Sequence, residues 1–153
     1  MNLDEYQTFD ATDLADPVRS GQTNPDELLA LARQRSDEVN DELNAVVEWF
    51  EDPTPVRNLD GPLAGVPFLC KDYGSAEAGR LVEMGSVLAR GNRATHTARF
   101  IERLQAAGAH IVGRTAAPEF VQHGATESAL HGITRNPHDP TVSPGGSLSL
   151  IHI

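Results

Sequence analysis

The sequence predicts an α/β fold opened by helices, and three observations predict it. Two short apolar runs, Val66-Pro-Phe-Leu-Cys70 and His110-Ile-Val-Gly-Arg-Thr115, flank a stretch of helical periodicity, the pattern of a parallel βαβ unit. Ahead of them, residues 10–38 carry helix caps and helix-spaced apolar positions. The 153 residues, 39% hydrophobic and 22% charged, with a mean hydropathy of -0.34, suit one globular domain with a single core.

Each element has a local reason. Asp10 is placed to cap a short amphipathic helix running to about Arg19, which Pro17 kinks or ends. Asn24 caps the next helix, Pro25 suits its first position, and Asp26 and Glu27 complement its dipole. Leu28, Leu29, Leu31, Ala32 and Val39 give that helix one apolar face and carry it to about Glu38. Residues 44–49 have the β-branched and aromatic character of a strand, and Glu51 to Pro62, with three prolines and a glycine, form a connector. Val66 to Cys70, bounded by Gly65 and by Lys71-Asp72, suits a strand covered on both faces. Its polar end then lies at the carboxyl edge of the sheet, where open α/β folds hold their sites. Glycines punctuate residues 74–93 as a loop. A helix follows from about His96, capped by Thr95, with Ala98, Ile101, Leu104 and Ala107 inward and Gly108 as its stop.

Charge and composition exclude several classes of function. Residues 1–60 hold 15 of the 22 acidic residues and 4 of the 12 basic ones, which describes a solvated acidic surface. A pI near 4.9 without a basic patch argues against nucleic acid as a direct partner, because phosphate binding needs clustered positive charge. No apolar run reaches the roughly 18 residues of a membrane span, and the acidic N-terminus lacks the features of a secretory signal, so a cytoplasmic protein is expected. The single cysteine, Cys70, rules out an internal disulfide. His96, His110, His123, His131 and His138 lack metal-ligand spacing on a common helix face, and there is no His-Glu-x-x-His segment. Nothing fixes the separation of Glu119 and Glu127 as a carboxylate pair. Without a Walker-type loop or a Gly-x-Gly-x-x-Gly segment, neither metal nor organic cofactor is expected.

Two features point to chemistry. Eleven of the twelve basic residues are arginine, and the one lysine, Lys71, ends an apolar strand. Only lysine of the two loses its proton readily, and burial lowers its pKa, as a general base requires. The alternative is a strand-end lysine paired with Asp72 or pointing at water. Ser143-Pro-Gly-Gly-Ser147 is the second feature. Gly145 and Gly146 let backbone N–H groups approach a ligand or developing oxyanion closely, although such a segment also serves as a plain turn. A lysine base with a serine is an alternative to the Ser-His-Asp arrangement.

The last six residues, Leu148 to Ile153, stand apart. The codons CTG TCT CTT ATA CAC ATC would encode them, and that string looks like the transposon end used to prepare sequencing libraries. They are read as adapter sequence, with the natural protein continuing beyond Ser147; the other reading is a natural short C-terminal strand.

From Gly61 to Ser147 the chain resembles the amidase signature family. The matching pieces are Gly61-Pro-Leu-Ala-Gly-Val-Pro-Phe-Leu-Cys-Lys-Asp72, Gly85-Ser86, and Leu104 to Thr115. Pro118-Glu-Phe120, Thr126-Glu-Ser128, Gly132, Arg135-Asn-Pro137 and Ser143 to Ser147 follow in the family's order. The resemblance implies a mixed, mainly parallel sheet covered by helices. Residues 1–60 would then be an N-terminal helical segment with one strand, and 61–147 the first part of the family's core. It also implies a Ser-cisSer-Lys hydrolase of amide bonds in which Lys71 is the base and Ser147 the bridging serine. Val121 and His123 match positions that line the acyl pocket in some members. The nucleophile and its oxyanion loop lie further downstream in the family; Ser149 is no substitute, and Leu148 stands where the family has a serine. Arg114 and His138 depart from the lysine and tryptophan often found there, without touching the chemistry.

The expected partner is therefore a small-molecule amide substrate, with no direct nucleic acid, no membrane, and a homodimer open to the full-length protein. The fragment alone should be inactive. One alternative is the glutamine-hydrolysing component of a tRNA-dependent amidotransferase, against which Gln122-His123 and the acidic opening speak. Another is a non-catalytic interaction module ending at Ile153, which would fold cooperatively, whereas a truncated enzyme would expose unpaired edges and apolar faces.

Overall fold

The opening helix, α1 (Leu3–Thr8), begins at a capping box absent from the expectation, which starts at Asp10. The Asn2 side chain accepts from the Glu5 amide, and the Glu5 carboxylate accepts from the Asn2 amide, both at 2.9 Å. The computed structural model describes residues 1–146; Ser147 and the suspected adapter residues lie outside the described residues.

Helix α2 (Ala11–Arg19) is capped as expected, with Asp10 Oδ1 accepting from the amides of Thr12 and Asp13. Pro17 sits in its last turn, and the helix stops two residues later. Helix α3 (Pro25–Leu43) starts at Asn24, whose Oδ1 accepts from the Glu27 amide, and outruns its expected end at Glu38. The exit is set by Asn40. Its Oδ1 accepts from the amides of Ala45 and Val46, and its Nδ2 donates to the Val46 carbonyl, each at 2.8 Å. Asn44, with φ of 51°, provides the left-handed cap.

Strands β1 (Val46–Trp49), β2 (Pro67–Lys71) and β3 (His110–Thr115) form a sheet with β3 in the middle. β3 runs parallel to β2 and antiparallel to β1, so the sheet is mixed. The register sets Lys71 opposite Thr115 and Cys70 opposite Arg114. Between β2 and β3 lies α4 (Arg99–Ala106), completing the βαβ unit. It starts later than expected, without a side-chain cap. The Thr97 hydroxyl accepts from the Ala78 amide and the Ala98 amide donates to the Ala76 carbonyl, which hold residues 97–98 outside the helix against the preceding loop.

β2 is not enclosed on both faces, contrary to its apolar run: Pro67, Phe68 and Leu69 are only half-buried among the described residues. Phe68 meets Phe100 of α4 edge-on, with ring centroids 6.3 Å apart, while Leu69 faces a cavity under α3. A small antiparallel hairpin, β4 (Glu127–Ser128) and β5 (Gly132–Ile133), is also unforeseen, being too short to show alternation. Asn44 Nδ2 ties it to the end of α3 by donating to the carbonyls of His131 and Ile133.

Two buried clusters hold these parts together. Leu14, Ala15 and Val18 pack with Leu28, Ala64 and Val66, while Phe50 packs with Cys70, Ile101, Ala109 and Ile111. Each large aliphatic side chain so buried contributes roughly 1.5–3 kcal/mol. Both clusters join residues on either side of position 60, so the N-terminal segment and the following stretch share their cores. No helix of the described residues is long and apolar enough to cross a membrane.

Candidate active site

Lys71 ends β2 at the carboxyl edge of the parallel pair, half-buried. Its carbonyl accepts from the Ser75 hydroxyl at 3.0 Å. Burial lowers the pKa of its amine below that of an ordinary lysine. Among the described residues Lys71 has no side-chain hydrogen bond or ion pair, so pairing with Asp72 is not what holds it.

Asp72 is instead committed elsewhere. It is fully buried, its amide donates to the Thr115 carbonyl, and its carboxylate accepts from the amides of Glu83 and Gly85 at 2.7 and 2.9 Å. Arg114 Nη1 adds a third donor at 2.7 Å. Burial alone would raise this carboxyl; the His131 imidazole, the two amides and Arg114 outweigh it and hold it at about 2. Arg114 also donates through Nη2 to Glu83 at 2.8 Å and through Nε to Glu48 at 2.9 Å. One buried guanidinium thus faces three carboxylates. His131 Nε2 stands 3.6 Å from Asp72 Oδ2 and 3.9 Å from Glu83 Oε2, beyond hydrogen-bond length.

Sequence reasoning misses this cluster, setting Arg114 aside as a departure that leaves the chemistry untouched. Its signal is the register: Arg114 falls one residue before the partner of Lys71 on a strand whose other expected contacts are apolar.

The loop that feeds Asp72 is built around left-handed backbone at Met84 and Gly85, with φ of 53° and 61°. A Cβ on Gly85 would lie 2.3 Å from the Ala117 carbonyl oxygen, so only glycine fits. The buried Ser86 hydroxyl donates to Glu119 at 2.7 Å, and the Phe120 amide donates to the Met84 carbonyl at 2.8 Å. These bonds carry the link from β2 to the segment holding Val121 and His123. Phe120 and Val121 are themselves left-handed, with φ of 49° and 59°, a strained state for a β-branched residue.

His123 is exposed and lines a polar cavity of about 310 Å³ together with Glu119, Glu127 and Ser128. Val121 is half-buried and lies outside that cavity's lining. The glycines come close to His123 from the other side: a Cβ on Gly146 would lie 2.4 Å from the His123 carbonyl oxygen. The Gly145 carbonyl accepts from the Thr126 hydroxyl at 2.9 Å. Both glycines line an apolar cavity of about 280 Å³ with Thr115, the partner of Lys71, and Ala116. The structure therefore brings Gly145, Gly146 and His123 together and sets Lys71 one strand away, through Thr115. Ser147 lies outside the described residues. Among the described residues, no three His, Cys, Asp or Glu side chains gather as a metal's ligands would.

The chain has relatives in both sequence and fold. The sequence model of the family described as Amidase matches residues 27–149. The chain is 39% identical to a 6-aminohexanoate-cyclic-dimer hydrolase of Paenarthrobacter ureafaciens, over 90% of this chain and 29% of the relative. It is 35% identical to the glutamyl-tRNA(Gln) amidotransferase component of Lachnospira eligens, over 96% of this chain and 32% of that one. A solved structure of 6-aminohexanoate cyclic dimer hydrolase complexed with substrate superposes with a TM-score of 0.81 and 34% identity, over 96% of this chain and 30% of that chain. The chain thus spans about a third of the length of these relatives. With the family pattern running through four-fifths of its residues and the fold matching as well, the chain belongs to the amidase signature family.

Proposed function

We propose that the protein carrying this chain is an amidase that hydrolyses the carbon–nitrogen bond of a small carboxamide or a linear or cyclic amide. Lys71 is the base and Ser147 the bridging serine. A serine further along the family's pattern attacks the carbonyl, its proton passing by way of Ser147 to the neutral Lys71 amine. The amine leaves with a proton, and water hydrolyses the acyl-serine. Gly145 and Gly146 lie along the substrate's path, and Val121 and His123 line its acyl side. The 153 residues alone, lacking the nucleophile, are inactive. The partner is the small amide; neither nucleic acid nor membrane is bound directly, and the whole enzyme works in the cytoplasm, with a homodimer open to it.

The observation that carries this reading is the state of Lys71. It is the chain's one lysine, half-buried at a strand's carboxyl edge, with the adjacent carboxylate taken up by other donors. An amine in that setting loses its proton more readily than an ion-paired one.

The test replaces Lys71 in the protein extended through the family's full length and assays release of amine from simple carboxamides. Lys71→Ala and Lys71→Arg are both expected to lower kcat by about 10²–10⁴-fold, the usual contribution of a general base. Near-normal rates in the arginine variant would overturn the reading, because arginine does not give up its proton.

The similarity to a glutamyl-tRNA(Gln) amidotransferase component supports a second reading, a protein that hydrolyses glutamine within a complex. Hydrolysis of glutamine that appears only with the other components of such a complex present would favour it. Turnover of simple amides by the isolated protein favours the free-standing amidase.

A further inference from the structure

We infer that Thr126 is a positioning residue of the candidate site: its hydroxyl holds the Gly145–Gly146 peptide, which leads directly into Ser147, in one orientation. The catalytic consequence rests on the amidase reading, while the placement itself stands on the hydrogen bonds.

One stretch of chain, residues 123–126, seats the two glycines in two ways. Gly146 presses against its backbone: a Cβ there would lie 2.4 Å from the His123 carbonyl oxygen and 2.8 Å from the Gly124 Cα, so no side chain fits. The Thr126 hydroxyl then donates to the Gly145 carbonyl oxygen at 2.9 Å, across 19 positions. A peptide group is planar, and the described residues hold no cis bond, so fixing the Gly145 carbonyl also fixes the Gly146 N–H in the opposite direction. The Gly145 amide donates to the Ser143 hydroxyl at 3.1 Å, a bond within the turn itself, whereas the bond from Thr126 ties the turn to the rest of the fold.

Thr126 can hold a neighbour because its own backbone is held. Its carbonyl accepts from the Thr134 amide at 2.9 Å, next to the β4–β5 pair. The buried Thr134 in turn donates its hydroxyl to the Asn44 carbonyl at 2.8 Å, and the Arg135 amide donates to the Leu43 carbonyl at 2.8 Å. The end of α3, the hairpin and the glycine turn thus form one hydrogen-bonded series, with Thr126 as its last link. A β-branched residue suits that place, since its restricted χ1 keeps the hydroxyl aimed. Thr126 lines the cavity of about 280 Å³ together with both glycines and Thr115, so the bond lies in the wall of the space that reaches the Lys71–Thr115 pair.

Two measurements test this, one of them independent of activity. Gly145–Gly146 is the only pair of adjacent glycines in the sequence, so glycine labelled with ¹³C at the carbonyl and ¹⁵N at the amide gives one carbonyl-to-amide NMR correlation between glycines. In the 153-residue chain, with folding of every variant verified by circular dichroism, Thr126→Val is expected to move the Gly145 carbonyl signal upfield. The ¹⁵N heteronuclear NOE of Gly146 is expected to fall, as it does when an amide gains fast motion. Thr126→Ser keeps the donor and is expected to keep both signals. Should Thr126→Val fail to fold, Thr126→Ala removes the same donor and carries the test. Unmoved signals in a folded variant without the hydroxyl overturn the placement.

In the protein extended through the family's full length, Thr126→Val is expected to lower kcat for a simple carboxamide by about 10–10²-fold, the effect of a small misplacement at a site. KM is expected to stay within about twofold, because ground-state binding is not what the bond supplies. Thr126→Ser is expected to restore kcat to within about threefold of the parent. A parent-like kcat in Thr126→Val, or a loss that serine does not restore, overturns the positioning role. A parent protein that hydrolyses no amide would overturn the amidase reading and leave the NMR result standing.

Discussion

The amide of Phe120 donates to the carbonyl of Met84 at 2.8 Å, and both residues have left-handed backbone, with φ of 49° and 53°. Two strained turns thus brace one another, one feeding the Asp72 carboxylate and the other carrying Val121 and His123. Strain of this kind persists only where the surroundings over-determine it. Here they do so through the Ser86–Glu119 bond and the two amides that Asp72 binds.

Gly85→Ala tests that brace. The new Cβ would lie 2.3 Å from a backbone oxygen on top of a φ of 61°, whereas at Gly91, with φ of 78°, it would meet nothing. Gly91→Ala is therefore expected to cost only the left-handed conformation, about 1 kcal/mol. Gly85→Ala is expected to cost about 2–4 kcal/mol, since the turn must shift as well. Urea unfolding of the two variants separates the clash from the conformational penalty.

Acid is expected to loosen the cluster through Asp72. Its carboxyl is held at about 2 in the folded chain, against roughly 3.9 when unfolded. The folded state therefore binds this proton less readily, and the stabilisation is complete above about pH 4 and lost as the pH falls toward about 2. The amount is roughly 2 kcal/mol, and Glu83, also lowered, adds in the same direction. Urea unfolding at pH 5 and pH 2.5 should show the loss in the parent, and a shallower one in Asp72→Asn.

Much of this fold is legible in the sequence because local chemistry decides it. Asp10 and Asn24 each cap the helix that follows them, and β3 occupies His110–Thr115 as its apolar run requires. What is not legible depends on contacts distant in sequence. Thr97 is drawn out of α4 by the amide of Ala78, and Asn44 reaches His131 across 87 positions. The same holds at the site. Lys71 stands out by composition, whereas the buried bond from Arg114 to Asp72, residues 42 positions apart, leaves no mark in the local sequence.

Cys70 should be inert in the folded chain. It is buried at 5% exposure, and burial, followed by the negative charge of Glu77, pushes its thiol up to about 12. A thiol so raised carries almost no thiolate at pH 8, and the thiolate is the reactive form. Reaction with a chromogenic disulfide reagent is expected to be negligible in native buffer and to reach one equivalent per chain in urea. Fast native labelling would mean that the second core cluster opens readily.

The pH dependence of hydrolysis is expected to follow Lys71. Burial lowers its pKa, so the neutral amine becomes available at lower pH than for an exposed lysine. In the protein extended through the family's full length, kcat/KM should rise with pH and level off once the amine is neutral. The midpoint of that rise should lie below the ordinary lysine value and coincide with the pKa of Lys71 read by NMR after reductive ¹³C-methylation of its amine in the same protein. A midpoint that differs from the pKa of the labelled amine would assign the limb to a group other than Lys71.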